Sequence, residues 1–425
     1  MKLKKLLVFA NDPLKEYYKK GELVDRYFNP CDFFDEIYFI TLSESEIEEE
    51  KIQHTAGRAK IKIFPVGKIG PWIFSPFSKG RKRILEISHE IQPDCIRVYN
   101  AHINGFLGAI VSSKLNIPLV VSLHINPEKD IRTFLNPFTN LSRWIFWKLN
   151  KYIIEPFVLN NAGKIICVYN FIYSFAEKLC KDKNKIEVIY NRININQFKP
   201  VDRSCHSDPE RSEGEESNLM YRNFNVEIPR SLRSLGMTGG QKCHFERSEK
   251  SNLKILYVGR LFEQKNPENL IKAMTDINAA LTIIGDGPYR GRMERIIENL
   301  NLTKKVSIIP SVPNKEIHRY YQEADIFVSV NNYGGISKVV IEAMASGLPI
   351  VINKTLWGPP ELLENTAIIT EDSPDGFTEA LNQLIENPAL RIDLGRKNRE
   401  KALKIDGKKM EQREAEVYKS LVNKI

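Results

Sequence analysis

Short apolar runs rich in Val and Ile recur along the whole chain, and segments long enough for a helix separate them. In the first half the runs are Leu6–Ala10, Ile37–Thr41, Ile61–Phe64, Cys95–Val98, Leu119–Leu123, Ile165–Val168 and Ile186–Ile189, and in the second they are Ile255–Val258, Leu281–Ile284, Val306–Ile309, Ile326–Val330, Ile350–Ile352 and Ala367–Thr370. Strands that are buried on both faces have such continuous apolar runs, and intervening helices connect parallel strands. The pattern therefore predicts an α/β fold with two doubly wound, Rossmann-like parallel-sheet domains, each with a ligand cleft at the carboxyl ends of its strands.

A polar segment between the two halves interrupts this pattern. Residues 202–252 have no sustained apolar period, and two stretches within them, Cys205–Glu213 and Cys243–Glu249, repeat one another. Their Cys-His pairs match no standard zinc spacing, and a translated palindromic DNA element explains the repeat better. The predicted units are a first domain at 1–200, a disordered linker at 201–253, a second domain at 254–400 and a C-terminal helix at 401–425.

The composition is that of a globular protein with an anionic partner. The 425 residues are 42% hydrophobic and 27% charged, with a formal net charge of +9, so two or three domains are expected. Nucleotide-sugar phosphates, an anionic membrane surface and nucleic acid would all suit this charge. Nucleic acid is the least favoured of these three partners, because the sequence shows no nucleic-acid recognition motif.

Neither a targeting signal nor a disulfide framework is indicated. The first apolar run breaks at Asn11, too early for a signal peptide, and no uninterrupted apolar stretch approaches the roughly 18 residues that span a bilayer. The six cysteines have no regular spacing, which is typical of reduced thiols in a cytoplasmic protein. We therefore expect a cytoplasmic location, at the inner face of the membrane if the chain contacts one.

The stretch Gly334–Pro349 carries the strongest chemical signal. It follows the apolar run Ile326–Val330, and its pattern predicts a tight turn and then a helix from about Ser337 to Gly347. A glycine turn between a strand and a helix leaves backbone N–H groups at the positive end of the helix dipole, where a phosphate can bind. Glu342 lies within the first two turns of this helix, so a sugar hydroxyl is a plausible partner for it.

A second signal is a pair of cations after the run Ile255–Val258. Gly259 and Arg260 follow this strand, and Lys265 lies five residues further on, beside the predicted start of another helix. Two cations in this position could stabilise the charge of a departing diphosphate. The alternative is a solvated loop with two ordinary surface cations.

Both motifs resemble those of the retaining GT-B glycosyltransferases of family 4, the glycosyl transferases group 1. The family patterns are Glu-Gly-Phe-Gly-x-x-x-x-Glu-Ala-Met-Ala-x-Gly-x-Pro, which corresponds to residues 334–349, and Val-Gly-Arg-x-x-x-x-Lys, which corresponds to 258–265. The resemblance implies the GT-B architecture, in which two Rossmann-like domains face a cleft and a C-terminal helix crosses back to the first domain.

The resemblance also implies a set of site residues. Arg260 and Lys265 would hold the donor diphosphate. The donor site would further comprise the backbone amides of the turn, the carboxylate on the helix and two positions on neighbouring loops: Gly335, Ile336, Ser337, Glu342, Gly259 and Val312. Val312 is placed only by its position after the strand Val306–Ile309, where the family holds the nucleotide base. The Gly285–Pro288 turn is as well explained by tight backbone geometry as by donor contact.

One departure from the family pattern concerns the donor. Gly334 occupies the position of the family's first Glu, eight residues before Glu342, and Ile336-Ser337 replace the usual Phe-Gly. The anion-binding amides do not depend on these side chains. Because Gly334 replaces the family's Glu, the carboxylate usually assigned to the donor sugar is absent. The identity of the sugar is therefore left open.

The first half carries three weaker matches. His124 follows the strand Leu119–Leu123 directly, as does the family's histidine that contacts the transferred sugar, although a lone histidine is more often structural. Gly21 is a weak match to a loop glycine after the first strand. The interdomain connection resembles the family's, with Arg192 and Asn194 in place of Gly and Asp.

Two aromatic and basic stretches suit an anionic membrane surface. They are Gly70–Phe77, which leads to Lys79, Arg81, Lys82 and Arg83, and Trp144–Lys148, which leads to Lys151. Packing against the core of the first domain is an equal alternative.

We expect a metal-independent, retaining glycosyltransferase without a cofactor. It would move a sugar from a UDP- or GDP-linked donor to a hydroxyl of a glycan or lipid-linked acceptor in cell-surface polysaccharide synthesis, with His124 near the acceptor. One rival is a sugar-nucleotide epimerase of the same architecture, which would also need an acidic or histidine set for elimination. Another is a glycosyltransferase-like protein that the insertion has inactivated.

Overall fold

The computed structural model describes residues 3–20, 24–67, 78–126, 141–201, 253–332, 336–355 and 360–423. Each predicted strand is confirmed, with small shifts at the ends. In the first half the strands are β1 (Lys5–Phe9), β2 (Glu36–Thr41), β3 (Lys60–Pro65), β4 (Cys95–Tyr99), β5 (Leu119–Leu123), β6 (Lys164–Cys167) and β7 (Ile186–Val188). In the second half they are β8 (Leu253–Val258), β9 (Ala279–Ile284), β10 (Val306–Ile309), β11 (Ile326–Ser329), β12 (Ile350–Asn353) and β13 (Ala367–Thr370).

Helices connect the strands. In the first half they are α1 (Leu14–Lys20), α2 (Glu49–Ile52), α3 (Lys79–Ile91), α4 (Ile103–Leu115), α5 (Leu141–Leu149), α6 (Glu155–Asn161) and α7 (Asn170–Leu179). In the second half they are α8 (Glu268–Ala273), α9 (Arg290–Asn299), α10 (His318–Glu323), α11 (Lys338–Ala345), α12 (Pro374–Ile385), α13 (Pro388–Lys404) and α14 (Gly407–Val422). A π-turn, Asn150–Ile154, joins α5 to α6.

The strands form two parallel sheets. The first has the order β3-β2-β1-β4-β5-β6-β7 and the second the order β10-β9-β8-β11-β12-β13. In each sheet the first strand along the chain is central. The next two strands are added on one side of it, and the remaining strands are added on the other side. The order therefore reverses between β1 and β4 and between β8 and β11, and ligands of doubly wound folds bind at such switch points.

Both faces of the sheets are buried, which explains the continuous apolar runs. In β1, Leu7 and Phe9 pack into the layer formed with α3, α4, α6 and α7. Leu6 and Val8 point to the opposite layer, which α1 and α14 complete. The same alternation occurs in β8, whose Ile255 and Tyr257 face one layer while Leu256 and Val258 face the other.

The C-terminal helix α14 packs on the first domain. The Tyr418 ring lies 5.1 Å from the Phe34 ring, and Met410 and Val417 join the core of that domain. Two Rossmann-like sheets and a helix that crosses back confirm the predicted GT-B architecture.

The inserted segment lies outside the described residues, but the chain on both sides of it is well placed. Gln322 Nε2 donates to the Lys199 carbonyl (3.3 Å), and the Lys254 amide donates to Asp325 Oδ2 (2.9 Å). Gln322 lies in the last turn of α10 and Asp325 two residues beyond its end, so the two ends of the insertion lie close together.

Deleting residues 203–252 is expected to leave the melting temperature and the activity nearly unchanged. The flanking chain is already anchored at one place, and shortening the connection between two fixed points changes the closure entropy only slightly. Calorimetry and a turnover assay on the full chain and the deletion variant test this. A collapse of soluble yield on deletion would show that the segment contributes to the fold.

Candidate active site

The switch point of the second sheet brings the two main sequence motifs together. β8 and β11 are adjacent parallel strands, with Phe327 opposite Leu256. Their carboxyl ends therefore lie at the same edge. Gly259 and Arg260 follow β8 there, and the chain that leads to α11 follows β11.

The loop after β8 is held by its backbone while Arg260 faces solvent. The Gly259 amide donates to the Ile284 carbonyl (3.0 Å), and the Leu261 amide donates to the Asp286 carbonyl (2.9 Å). The exposed Arg260 lies between these two fixed residues, with its guanidinium carbon 5.0 Å from the centre of the Phe262 ring. A rigid loop thus presents a cation at the switch point.

Lys265 lies on the same loop, shortly before a helix. It ends a 3-10 turn, Glu263–Lys265, and its carbonyl accepts a hydrogen bond from the Tyr257 hydroxyl (2.8 Å). The helix α8 begins at Glu268, three residues after Lys265, which confirms a helix start beside this lysine. Pro267 keeps the helix from starting earlier, because a residue before proline, here Asn266, is driven into an extended conformation.

The Gly285–Pro288 turn has a structural role. A Cβ atom at Gly285 would lie 1.9 Å from the Gly259 carbonyl oxygen, and one at Gly287 would lie 2.2 Å from the Leu261 carbonyl oxygen. Both glycines have positive φ, 154° and 153°. Tight backbone geometry is thus sufficient to explain these glycines, which hold the Arg260 loop in place.

The N-terminus of α11 lies at the same edge. Ser337 is the N-cap residue and its side chain makes no capping hydrogen bond, so it does not occupy the amides of the first turn. Ile336 is buried and packs into the apolar core, which anchors the turn. Gly335 lies outside the described residues.

Glu342 is buried in the second turn of α11. Its carboxylate accepts a hydrogen bond from the Tyr321 hydroxyl (2.9 Å) and lies 3.8 Å from Lys338 Nζ. Burial raises the pKa of this carboxyl, and Lys338 and Tyr321 oppose the increase. The group is thus oriented by two neighbours at the helix end that would hold a phosphate.

Replacing Glu342 by Gln is expected to raise the dissociation constant of the nucleotide sugar while the melting temperature changes little. A charge-assisted hydrogen bond to a ligand hydroxyl, worth about 1.5–3 kcal/mol, would weaken. Gln keeps an acceptor for Tyr321. Titration calorimetry tests this, with the exposed Glu323→Gln as the control. Unchanged affinity combined with a large loss of stability would make Glu342 a structural residue.

Val312 follows β10 and is half-buried against the apolar core. β10 is the edge strand of the second sheet, two positions from β8. Val312 therefore lies at the same carboxyl edge as the Arg260 loop, further from the switch point.

His124 lies at the carboxyl end of β5 in the first sheet. Asn100 fixes its backbone, since Asn100 Oδ1 accepts hydrogen bonds from the amides of His124 (2.9 Å) and Ile125 (3.2 Å). The imidazole lies 5.4 Å from the Tyr99 ring. Burial, together with the positive charge of Arg97, lowers the pKa of His124 to about 4.

We expect His124 to remain neutral well below its ordinary pKa of 6.5. The unfolded chain binds this proton first, so the contribution to stability is complete above about pH 6.5 and is lost as the pH falls toward 4. An NMR titration of the imidazole measures the midpoint, and His124→Gln should flatten the fall in stability over that range. A midpoint near 6.5 in the folded protein would contradict this.

Behind His124 is a buried ion-pair network that the sequence did not predict. Glu414 of α14 contacts Arg97 of β4 and also pairs with Arg192 (2.5 Å). Glu411 of the same helix pairs with Arg26 (2.9 Å). Arg192, the departure from the family pattern in the interdomain connection, therefore ties that connection to the C-terminal helix. A charged residue within the apolar run of β4 was the available signal.

A second polar set missed by sequence reasoning lies at the ends of β11 and β12. The Asn331 amide donates to Asn353 Oδ1 (2.7 Å), and Asn353 Nδ2 donates to Asn332 Oδ1 (2.9 Å). These contacts fix the chain that leaves β11 toward α11. The asparagines are scattered along the sequence, so their spacing did not indicate that they would meet.

The two domains also touch across the cleft. Glu361 of the second domain accepts hydrogen bonds from the Asn170 amide (2.9 Å) and from the Tyr190 hydroxyl (3.1 Å). Both donors lie at the carboxyl edge of the first sheet, at the ends of β6 and β7. The crossover between β12 and β13 of the second domain therefore contacts the carboxyl edge of the first sheet.

The described residues contain neither a candidate metal site nor a helix that could span a membrane. In those ranges no three His, Cys, Asp or Glu side chains are grouped as a metal site would require. None of the helices described is both long and apolar enough to cross a membrane. Gly21 and the Gly70–Phe77 stretch lie outside the described residues.

Comparison with known proteins gives two family matches in chain order. The Glycosyltransferase Family 4 model matches residues 35–197, and the Glycosyl transferases group 1 model matches residues 243–401. The two matches correspond to the two sheets, one domain each.

Individual relatives are distant. The chain is 30% identical to the amylovoran biosynthesis glycosyltransferase AmsD of Erwinia amylovora, over 32% of this chain and 40% of that protein. It is 22% identical to the alpha-monoglucosyldiacylglycerol synthase of Acholeplasma laidlawii, over 64% of this chain and 61% of that one. The matches thus span less than two thirds of either relative. The crystal structure of Anabaena HepE in complex with UDP has a TM-score of 0.68 at 16% identity, covering 98% of this chain and 100% of that chain.

Proposed function

We propose that this chain, a GT-B glycosyltransferase of the family 4 type, transfers a sugar with retention of anomeric configuration from a UDP- or GDP-linked donor to an acceptor hydroxyl. The observation that carries the proposal is the meeting of the Arg260 loop and the N-terminus of α11 at the switch point between β8 and β11. The nucleotide sugar would bind there, and the acceptor would approach from the first domain near His124.

The donor's diphosphate would be stabilised as it departs. When the bond between the anomeric carbon and the phosphate oxygen breaks, negative charge develops on the diphosphate. The fold holds the loop backbone that carries Arg260 and Lys265, and it holds the first amides of α11, so these groups would stabilise this charge with little reorganisation. The acceptor oxygen forms the new glycosidic bond, and its proton leaves with the products. This scheme requires no metal ion.

His124 would contribute as a neutral group. Because its pKa is held near 4, the imidazole offers one donor and one acceptor nitrogen at pH 7. It can therefore bind a sugar hydroxyl without adding a charge to the acceptor side of the cleft.

The acceptor would be a glycan or a lipid-linked glycan used in cell-surface polysaccharide synthesis, at the cytoplasmic face of the membrane. Two observations support this class. The relatives named above are, by their names, a glycosyltransferase of amylovoran biosynthesis and a monoglucosyldiacylglycerol synthase. The aromatic and basic helix α5 belongs to the first domain, from which the acceptor would approach.

Acceptor-dependent release of nucleoside diphosphate tests the proposal. The protein is incubated with UDP- and GDP-sugars, with and without glycan and glycolipid acceptors, and free nucleotide is measured. We expect release only when acceptor is present, and a product with the donor's anomeric configuration by NMR. Nucleotide-sugar conversion without any acceptor would favour the epimerase instead, and an inverted product would refute retention.

A further inference from the structure

The helical segment that borders the acceptor side is only half covered by the protein. It consists of α5, the π-turn and α6. Its buried residues begin at the π-turn: Asn150, Ile154, Glu155, Val158 and Leu159. Of the α5 side chains that the structure describes, none is buried.

The exposed half extends beyond the sheet. At about 1.5 Å per residue the segment from Leu141 to Asn161 is roughly 30 Å long, whereas a strand of about five residues spans roughly 17 Å. The segment leads from the edge that carries His124 back to the start of β6. Its α6 half packs on the sheet, so α5 projects past the carboxyl edge.

The projecting surface is apolar and aromatic. Leu141 is 59% exposed, Ile145 53% and Tyr152 61%. Phe146 (41%) and Ile153 (59%) are exposed as well, so the exposed apolar side chains surround α5 and the π-turn and are not confined to one stripe. Packing of this stretch against the domain core, the alternative left open by the sequence, is therefore wrong for these side chains.

Cations are interleaved with the aromatic rings. Lys148 Nζ lies 5.4 Å from the centre of the Trp144 ring, 5.1 Å from that of Trp147 and 5.3 Å from that of Tyr152. Lys151 Nζ lies 5.4 Å from the centre of the Trp147 ring. From residue 141 to 154 the sequence has no Asp or Glu, so no acidic side chain of this stretch offsets the lysines.

More cations lie on the same side of the domain. The first turns of α3 carry Lys79, Arg81, Lys82 and Arg83. Both α3 and α6 pack against α4 in one helical layer, and α3, like α5, begins at the carboxyl edge of the sheet. The positive charge thus continues around this edge.

We propose that α5 and the adjoining residues up to Ile153 form a docking surface for an anionic lipid bilayer. Apolar and aromatic side chains would enter the headgroup region, where Trp and Tyr are favoured, and the lysines would contact anionic headgroups. A second copy of the chain fits this surface less well, because a symmetric contact would oppose one cationic patch to another. The inference deepens the proposed function and rests on it in one respect only, which is the purpose of docking. The bilayer would hold the acceptor at the cleft.

Vesicle binding tests the surface directly. The full chain is sedimented with phosphatidylcholine vesicles that contain or lack phosphatidylglycerol, with no nucleotide sugar or acceptor present. We expect binding only to the anionic vesicles. Lys148→Gln combined with Lys151→Gln should weaken it about 30-fold, since each lysine near such a surface contributes roughly fivefold.

Two further variants separate the contributions. Ile145→Ser with Tyr152→Ser should also weaken binding, and both side chains are exposed, so the fold should be retained. Lys181→Gln with Lys185→Gln removes two lysines that lie at the opposite edge of the same domain, between α7 and β7, and should have no effect.

Three outcomes would overturn the proposal: no binding of the wild type to anionic vesicles, equal loss in the Lys181/Lys185 control, or a dimer in light scattering that the Lys148/Lys151 variant disperses. Transfer to a soluble acceptor is measured separately. A chain that transfers sugar but does not bind vesicles would refute only the docking surface, and one that binds but does not transfer would refute only the proposed function.

Discussion

Replacing Arg260 by Ala is expected to lower the turnover number by about 10²–10³, as for the loss of one preorganised donor at a developing charge. The guanidinium is exposed at the switch point, and the hydrogen bonds of Gly259 and Leu261 fix the backbone on either side of it. Because the interaction strengthens as the diphosphate departs, the loss should fall on turnover more than on the Michaelis constant of the donor.

Lys265→Ala should behave in the same way, because the 3-10 turn and the Tyr257 hydroxyl hold Lys265 on the same loop. Steady-state kinetics with a matched control, the exposed Arg295→Ala on α9, measures both effects. A variant that keeps nearly the wild-type turnover would remove its residue from the site.

Replacing Glu414 by Ala is expected to reduce the free energy of unfolding of the first domain by about 3–5 kcal/mol. The substitution leaves the guanidinium groups of Arg97 and Arg192 buried without their shared carboxylate, and the side chains of these arginines are only 5% and 11% exposed. A buried charge that loses its partner costs much more than a surface ion pair contributes, since that contribution is about 0–1 kcal/mol.

Urea titration followed by a signal from the first domain measures this loss. Glu416→Ala on the exposed side of the same helix is the matched control and should change little. Burial alone would raise the pKa of Glu414, but Arg97 and Arg192 lower it overall. The stabilisation should therefore be complete above the ordinary pKa of a glutamate and be lost at lower pH. A loss below about 1 kcal/mol would show that the network is not coupled to folding.

Much of the fold could be predicted from the sequence because it depends on local periodicity. The residues of β1 alternate between two buried layers, and that arrangement produces the apolar run Leu6–Ala10. The parallel, doubly wound class of both sheets followed from the alternation of apolar runs with helix-length segments.

The arrangement of the two donor-side motifs at one sheet edge could be predicted, because each motif is a short continuous stretch of the sequence. Arg260 and Lys265 lie on one loop, and Ile336 to Glu342 on one turn and helix. The environment of His124 could not be predicted, since Arg97 and Glu414 are 317 positions apart in the chain and meet only when α14 folds back. Sequence spacing carries no information about such a contact.

A crystal structure of the protein with bound nucleotide sugar tests the central claim most directly. We expect the diphosphate between the Gly259–Lys265 loop and the N-terminus of α11, with the base near Val312 and the sugar facing His124 across the cleft. A diphosphate bound at the first sheet, or anywhere away from the switch point between β8 and β11, would contradict the account.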